Sequence, residues 1–259
     1  MCFASDSRPP PLPADVLHAP VAGGAGSESL ELTSADGTRF SAALAEAAGD
    51  ATSAVAILPD VRGLHPFYSE LVERFAQAGH HAIAIDYFGR TAGLLPRDAS
   101  FDFVAHVQQT KVAQVQADTL AAAAALRERT GASKIATVGF CFGGLHSFLA
   151  GADLCREITG VVGFHGVLRG ERFGISGPID RAGEISRPLL GLFGGADQTV
   201  PTDDVREFES SLIGSEVEHE IQIYPGAPHS FFDRHYDEHA AACDDAWRRT
   251  LEFLQRHAE

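Results

Sequence analysis

The sequence is poor in the features that mark several protein classes. Its 259 residues hold four scattered cysteines (Cys2, Cys141, Cys155 and Cys243), with no CxxC pair and no framework spacing. That argues against a disulfide scaffold or a zinc ribbon and favours a reduced, cytoplasmic chain. No run approaches the roughly 18 consecutive apolar residues of a membrane span. The N-terminal stretch lacks a basic start and an apolar h-region, so no secretory signal is visible. Positive charge is scarce as well: 20 Lys+Arg against 35 Asp+Glu leave a formal net charge of −15. Such a field repels nucleic acid and anionic lipid, so neither is an expected partner. The glycines of Ala22–Gly26 lack both GxGxxG spacing and a preceding strand, which excludes a dinucleotide fingerprint.

What remains is ordinary globular composition, 45% hydrophobic and 21% charged. Residues 1–27 are rich in Pro, Gly, Ala and Ser and read as an arm that lies on the surface or is disordered. Residues 28–259 read as a single domain. Strands are expected at Glu28–Leu32, Arg39–Ala45, Ala54–Leu58, His81–Ile85, Lys134–Val138, Gly160–Phe164, Pro188–Phe193 and His219–Tyr224. Helices are expected at Phe67–Ala78, Val112–Arg129, Phe142–Ala150, Asp203–Leu212 and Tyr236–His257. Strands alternating with helices, several of them apolar on both faces, predict an α/β domain with a mostly parallel central sheet covered on both sides.

The most informative segment is Val138-Gly139-Phe140-Cys141-Phe142-Gly143-Gly144. An apolar strand enters a Gly-x-Cys-x-Gly turn and a helical pattern follows. A turn this sharp needs small neighbours two positions from its apex, and it lifts the apex side chain clear of the sheet. The N-terminus of the following helix favours a thiolate there, and the Phe142 amide is placed to donate to an oxyanion. A cysteine nucleophile needs a base, and the base an orienting acid. Asp197 follows a strand in Phe193-Gly194-Gly195-Ala196-Asp197, and His229 follows another in Pro225-Gly226-Ala227-Pro228-His229. Nucleophile, acid and histidine thus occur in the chain order of α/β-hydrolases. Alone, each partner reads as an ordinary loop residue; together with the elbow they read as a Cys141–His229–Asp197 triad.

These motifs resemble the dienelactone hydrolase family of α/β-hydrolases, over roughly residues 28–257. The resemblance implies an α/β-hydrolase fold and hydrolysis of a lactone or activated ester through a thioester, with enol-lactones such as carboxylated dienelactones as family substrates. It implies no cofactor and no metal. It also places a carboxylate at Asp60, which in the family holds the resting thiol, and an oxyanion-hole amide at Val61. Asp is one methylene shorter than the family's usual Glu. Arg90, in Asp86-Tyr87-Phe88-Gly89-Arg90, matches an arginine that binds the substrate carboxylate, with Tyr87 beside it. The second such arginine should lie four residues after the histidine; Asp233 stands there and Arg234 comes one later. A general esterase or thioesterase is the nearer alternative. A catalytically idle fold that binds a ligand or senses oxidants through Cys141 is the other.

Further residues carry weaker signals. His235, His239 and Cys243 are four apart on one helix face, yet an acidic, His-containing amphipathic helix accounts for them without metal. His65, His146 and His165 lie near the expected site and read as packed or solvated side chains. Phe67, Tyr87 and Phe142 suit a pocket wall and core packing equally. Between the elbow helix and Asp197 there is no space for an inserted lid domain, though the Gly166–Glu184 loop is placed to overhang the site. A monomer or homodimer acting on a small-molecule lactone or ester is the expectation.

Overall fold

The computed structural model describes residues 6–16, 26–49, 51–154, 156–233 and 235–258. Its strands are β1 (Glu28–Thr33), β2 (Arg39–Ala45), β3 (Ser53–Leu58), β4 (His81–Ile85), β5 (Lys134–Phe140), β6 (Gly160–Phe164), β7 (Leu189–Gly194) and β8 (His219–Tyr224). They form one sheet in the order β1-β2-β4-β3-β5-β6-β7-β8. β2 runs antiparallel to both β1 and β4, and every other neighbouring pair is parallel. The helices are α1 (Pro66–Gln77), α2 (Gly89–Ala92), α3 (Phe103–Val107), α4 (Val112–Thr130), α5 (Phe142–Asp153), α6 (Thr202–Ile213) and α7 (Ala240–Ala258).

The two-residue period of the strands sorts the core into layers. On β3, Val55 and Ile57 join Phe67, Leu71 and Phe75 of α1 and Trp247 and Leu254 of α7 on one face. Ala54, Ala56 and Leu58 point the other way, toward Val115, Ala122 and Leu126 of α4. Farther along that second face, Phe148 of α5 and Val205, Phe208 and Leu212 of α6 cover β6 and β7. Central strands covered on both sides must be apolar throughout, and all of β3, β4, β6 and β7 is buried. Edge strand β1 keeps Glu28 and Glu31 exposed, which discourages edge-to-edge pairing.

Expected and observed strands and long helices agree to within a few residues, with two differences. The last helix begins at Ala240 rather than Tyr236, and the residues before it form turns in which the Glu238 and His239 amides both donate to the His235 carbonyl. The arm is also more engaged than expected over the part described. Pro9, Pro10, Leu12 and Pro13 are buried, and the Trp247 indole N–H donates to the Pro10 carbonyl at 3.3 Å. Arg248 pairs with Asp15 at 2.6 Å. Residues 1–5 and 17–25, including Cys2, Gly23 and Gly24, lie outside the described residues, as does Cys155. No helix among the described residues is long and apolar enough to cross a membrane.

Trp247 is the keystone of the α1–α7 layer, with ring centroids 5.1 Å from Phe75 and 5.2 Å from Phe232. Trp247→Ala should lower unfolding free energy by about 3–5 kcal/mol. Trp247→Phe keeps the ring contacts, loses the Pro10 bond and should cost about 1 kcal/mol beyond its lost volume. Urea unfolding of the two variants beside wild type measures both.

Candidate active site

The turn from β5 into α5 is as tight as its glycines suggest. Cys141 sits at φ 52°, ψ −108°, a conformation that side-chain-bearing residues rarely adopt. A Cβ on Gly139 would lie 2.0 Å from the Gly143 carbonyl oxygen, and one on Gly143 would lie 1.9 Å from that of Leu58. Backbone bonds hold the strained residue in place. The Cys141 amide donates to Phe164 O at 3.0 Å, and the Cys141 carbonyl accepts from Leu145 N at 3.1 Å and Val167 N at 3.0 Å. Phe142 opens α5, where amides have no partner inside the helix.

Asp197 and His229 come together across the ends of β7 and β8. Gly195 N donates to Tyr224 O at 2.7 Å and Ala196 N to Ala227 O at 2.9 Å, stitching the two loops. Asp197 Oδ1 accepts the Thr199 and Val200 amides at 2.7 and 3.0 Å. Its Oδ2 lies 2.6 Å from His229 Nδ1. The carboxylate is buried and fixed by backbone on one side, so its other oxygen is free to orient the imidazole. Cys141 and His229 both line a cavity of about 330 Å³, together with Val61, Phe103, Val107, Gln108, Arg172, Phe173 and Thr199.

The loop after β3 carries Asp60 and Val61. Asp60 is fully buried; its Oδ1 accepts the Arg62 amide at 2.6 Å and its Oδ2 the Tyr68 hydroxyl at 3.2 Å. His65 Nε2 lies 3.6 Å from the same Oδ2. The Tyr68 oxygen in turn accepts the Asp60 amide at 2.8 Å. Burial, with Asp60 and Asp233 nearby, pushes the Tyr68 phenol well above its ordinary range, so it stays protonated and able to donate. These bonds tie the Asp60 carboxylate to α1.

Arg90 and Tyr87, read from the sequence as substrate-binding or modulating residues, do not line the cavity of Cys141 and His229. Arg90 forks onto Asp118 at 2.6 and 2.9 Å and reaches Asp36 at 2.9 Å. Its guanidinium clamps α2 to α4 and the β1–β2 turn and does not line the cavity; the bidentate pairing commits both Nη groups to a buried carboxylate. Tyr87 is buried behind the site, its hydroxyl donating to Pro59 O at 2.6 Å and its ring standing edge-on to Phe142 at 5.6 Å. It braces the loop that carries Val61. Arg234 lies outside the described residues.

The cavity also contains residues that sequence reasoning missed. Phe103, Val107 and Gln108 come from α3 and its end, and Arg172 and Phe173 from a 3-10 turn within the loop expected to overhang the site. Both elements are too short to show a hydrophobic period. Arg172 makes no ion pair among the described residues, and its guanidinium lies 4.7 Å from the Phe173 ring centroid. Among the described residues no cluster of three His, Cys, Asp or Glu could hold a metal, and the Cys243 thiol donates to Phe231 O at 3.4 Å. His146 packs edge-on against Phe142 at 4.5 Å, and burial pulls its imidazole down to about 3.

With this geometry in place, comparison with known proteins is informative. The sequence profile of the dienelactone hydrolase family matches residues 40–258. This chain belongs to the dienelactone hydrolase family. It is 30% identical over 211 residues to a protein named "Putative carboxymethylenebutenolidase" from Escherichia coli K12, covering 78% of this chain and 76% of that one. A solved structure described as a "Putative Dienelactone Hydrolase", from Klebsiella pneumoniae, superposes with a TM-score of 0.78 at 27% identity. The match covers 90% of this chain and all of that one. A dienelactone hydrolase-like promiscuous phosphotriesterase from metagenomic libraries shares the fold, with a TM-score of 0.72 at 24% identity over 91% of this chain and all of that one. The fold is that of the α/β-hydrolases, and the protein is a dienelactone hydrolase-like ester hydrolase.

The elbow glycines can be tested directly. Gly143→Ala should cost several kcal/mol or abolish folding, because its Cβ meets backbone on β3 rather than a flexible side chain. Gly183→Ala, where nothing lies within 4 Å of the added Cβ, should unfold within about 0.5 kcal/mol of wild type. Thermal melts of both proteins decide the matter.

Proposed function

We propose that this hydrolase cleaves a small lactone or activated ester through a thioester on Cys141. One observation carries the reading: a 2.6 Å Asp197–His229 pair faces the same cavity as a cysteine at the tip of a strained strand–helix turn. His229 takes or holds the Cys141 proton, and the thiolate adds to the substrate carbonyl. Negative charge moves onto the carbonyl oxygen, toward the Phe142 and Val61 amides. Collapse of this adduct breaks the C–O bond, His229 returns a proton to the departing oxygen, and the acyl group remains on sulfur. Water then gives a proton to His229 and adds to the thioester carbonyl, releasing the acid and restoring the thiol. Asp197 holds the correct tautomer and stabilises the imidazolium. Thiolate is itself a good leaving group, so amides are poor substrates and activated acyl–oxygen bonds good ones. Asp60 and Tyr87 act behind the reaction by fixing the loop that carries the Val61 amide.

Cavity chemistry narrows the substrate. Val61, Phe103, Val107 and Phe173 suit a compact apolar or conjugated acyl group, and Arg172 suits an anionic substituent on it. A carboxylated enol-lactone has both features. A neutral ester is the second reading, favoured by the locking of Arg90 onto Asp118.

Loss of a carboxylated dienelactone, followed by its ultraviolet absorbance, should be fast for wild type and abolished in folded Cys141→Ala. Full activity of that variant would remove the cysteine mechanism. Asp197→Asn should lower kcat by about 10³–10⁴-fold. Arg172→Ala should raise KM for the carboxylated lactone about tenfold or more while sparing its methyl ester; equal effects on both substrates would favour the neutral-ester reading.

A further inference from the structure

Next to the proposed triad stands a second histidine that the mechanism above leaves without a role. His165 follows β6 and is completely buried. Its ring meets the His229 ring at a centroid distance of 4.6 Å and an interplanar angle of 63°. Its other ring neighbours are Phe140 at 6.1 Å and Phe231 at 6.3 Å. Neither ring nitrogen has a hydrogen-bond partner among the described residues. The backbone is left-handed there, at φ 38°, and is held by the His165 amide donating to Leu192 O at 2.7 Å.

This placement is costly. Two unpaired ring nitrogens are withdrawn from water in aromatic surroundings that a phenylalanine would fill without penalty. Strained backbone combined with an unsatisfied polar ring, both against a reacting group, is the pattern expected of a functional constraint.

We propose that His165 is a positioning residue for His229: a neutral polar ring that holds the triad imidazole in edge contact and favours its charged form. The inference rests on the triad reading. Charge develops on His229 when the thiol ionises, and the electron-rich ring of a neutral imidazole in edge contact stabilises that charge. His165 does not compete for the proton, because burial, and then the neighbouring His229, hold its own proton affinity well below the ordinary histidine value. Among the described residues, the charged or titratable groups facing His229 include Asp197 on the loop after β7, Cys141 at the elbow and Arg172, which lines the same cavity; its own loop adds Asp233, buried near Tyr68. Asp197 pulls the proton toward His229 from the Nδ1 side, and His165 supports the ring from another.

The test reads the His229 ring signal by NMR across pH in a Cys141→Ala background, with and without His165→Phe. It requires no turnover, so failure of the hydrolytic reading and failure of this inference are distinguishable. His165→Phe should lower the His229 titration midpoint by about half a unit or more. In the enzyme with Cys141 intact, the limb of kcat/KM that reports His229 should move down in pH by the same amount and kcat should fall about tenfold, with KM little changed. If phenylalanine does not fold, His165→Leu reads the same shift. His165→Gln, which keeps polar atoms beside the ring, should restore most of the midpoint. An unshifted His229 midpoint and a wild-type kcat in a folded apolar variant would overturn the proposal and leave His165 as packing alone.

Discussion

The close backbone approach at the β5–α5 turn is the constraint on which the rest of the site depends. Gly143 lies so near the carbonyls of Leu58 and Pro59 that the end of β3 is pressed against the start of α5. Gly144 is also tight against Gly166, and a Cβ there would lie 2.5 Å from its Cα. The elbow therefore sets more than the height of Cys141. It fixes the loop that carries Val61 on one side and the His165–Gly166 corner on the other. Strain at Cys141 is sustained because backbone bonds with the end of β6, the loop after it and the first turn of α5 over-determine it. The acid and the histidine are added from β7 and β8, whose loops are stitched to each other by the Gly195 and Ala196 amides.

Charge distribution follows a second rule. In a chain of net charge −15, arginines are quickly claimed by carboxylates, and the buried ones act as clamps. Arg97 is fully enclosed by Asp86 and the carbonyls of Gly93 and Leu95, and Arg90 by Asp118 and Asp36. Such pairs hold irregular segments against the sheet and commit most of their donors. Arg172 differs: it stands at the cavity with an aromatic ring beneath it and no carboxylate on it among the described residues. A matching position in a motif therefore says less about ligand binding than the presence or absence of a competing acid.

Much of this is legible in the sequence, for identifiable reasons. β3 and β5 are apolar runs bounded by turn residues, and α4 and α6 end near glycines, so their type and approximate limits follow from pattern alone. Gly139, Cys141 and Gly143 are legible because steric necessity writes itself into spacing. Asp197 and His229 follow from chain order once the elbow is recognised. The roles of Arg90 and Tyr87 are not legible, because Asp118 and Pro59 reach them only through tertiary packing across 28 residues each. α3 and the Glu171–Phe173 turn are invisible for a different reason: at five and three residues they are too short for a helical hydrophobic period to repeat. The Pro-rich arm reads as an arm on the surface or disordered because its burial depends on Trp247, 237 residues beyond Pro10.

The central claim is that acyl groups pass through sulfur at Cys141, and a rapid acid quench followed by peptide mass spectrometry tests it most directly. Mixed with an activated ester and quenched during the first turnovers, the protein should carry one acyl group on the peptide containing Cys141. That adduct should be cleaved by neutral hydroxylamine, as a thioester is, and should be missing from Cys141→Ala. Steady turnover with no acyl group on that peptide at any quench time, or the same adduct on another residue in active Cys141→Ala, would contradict the account.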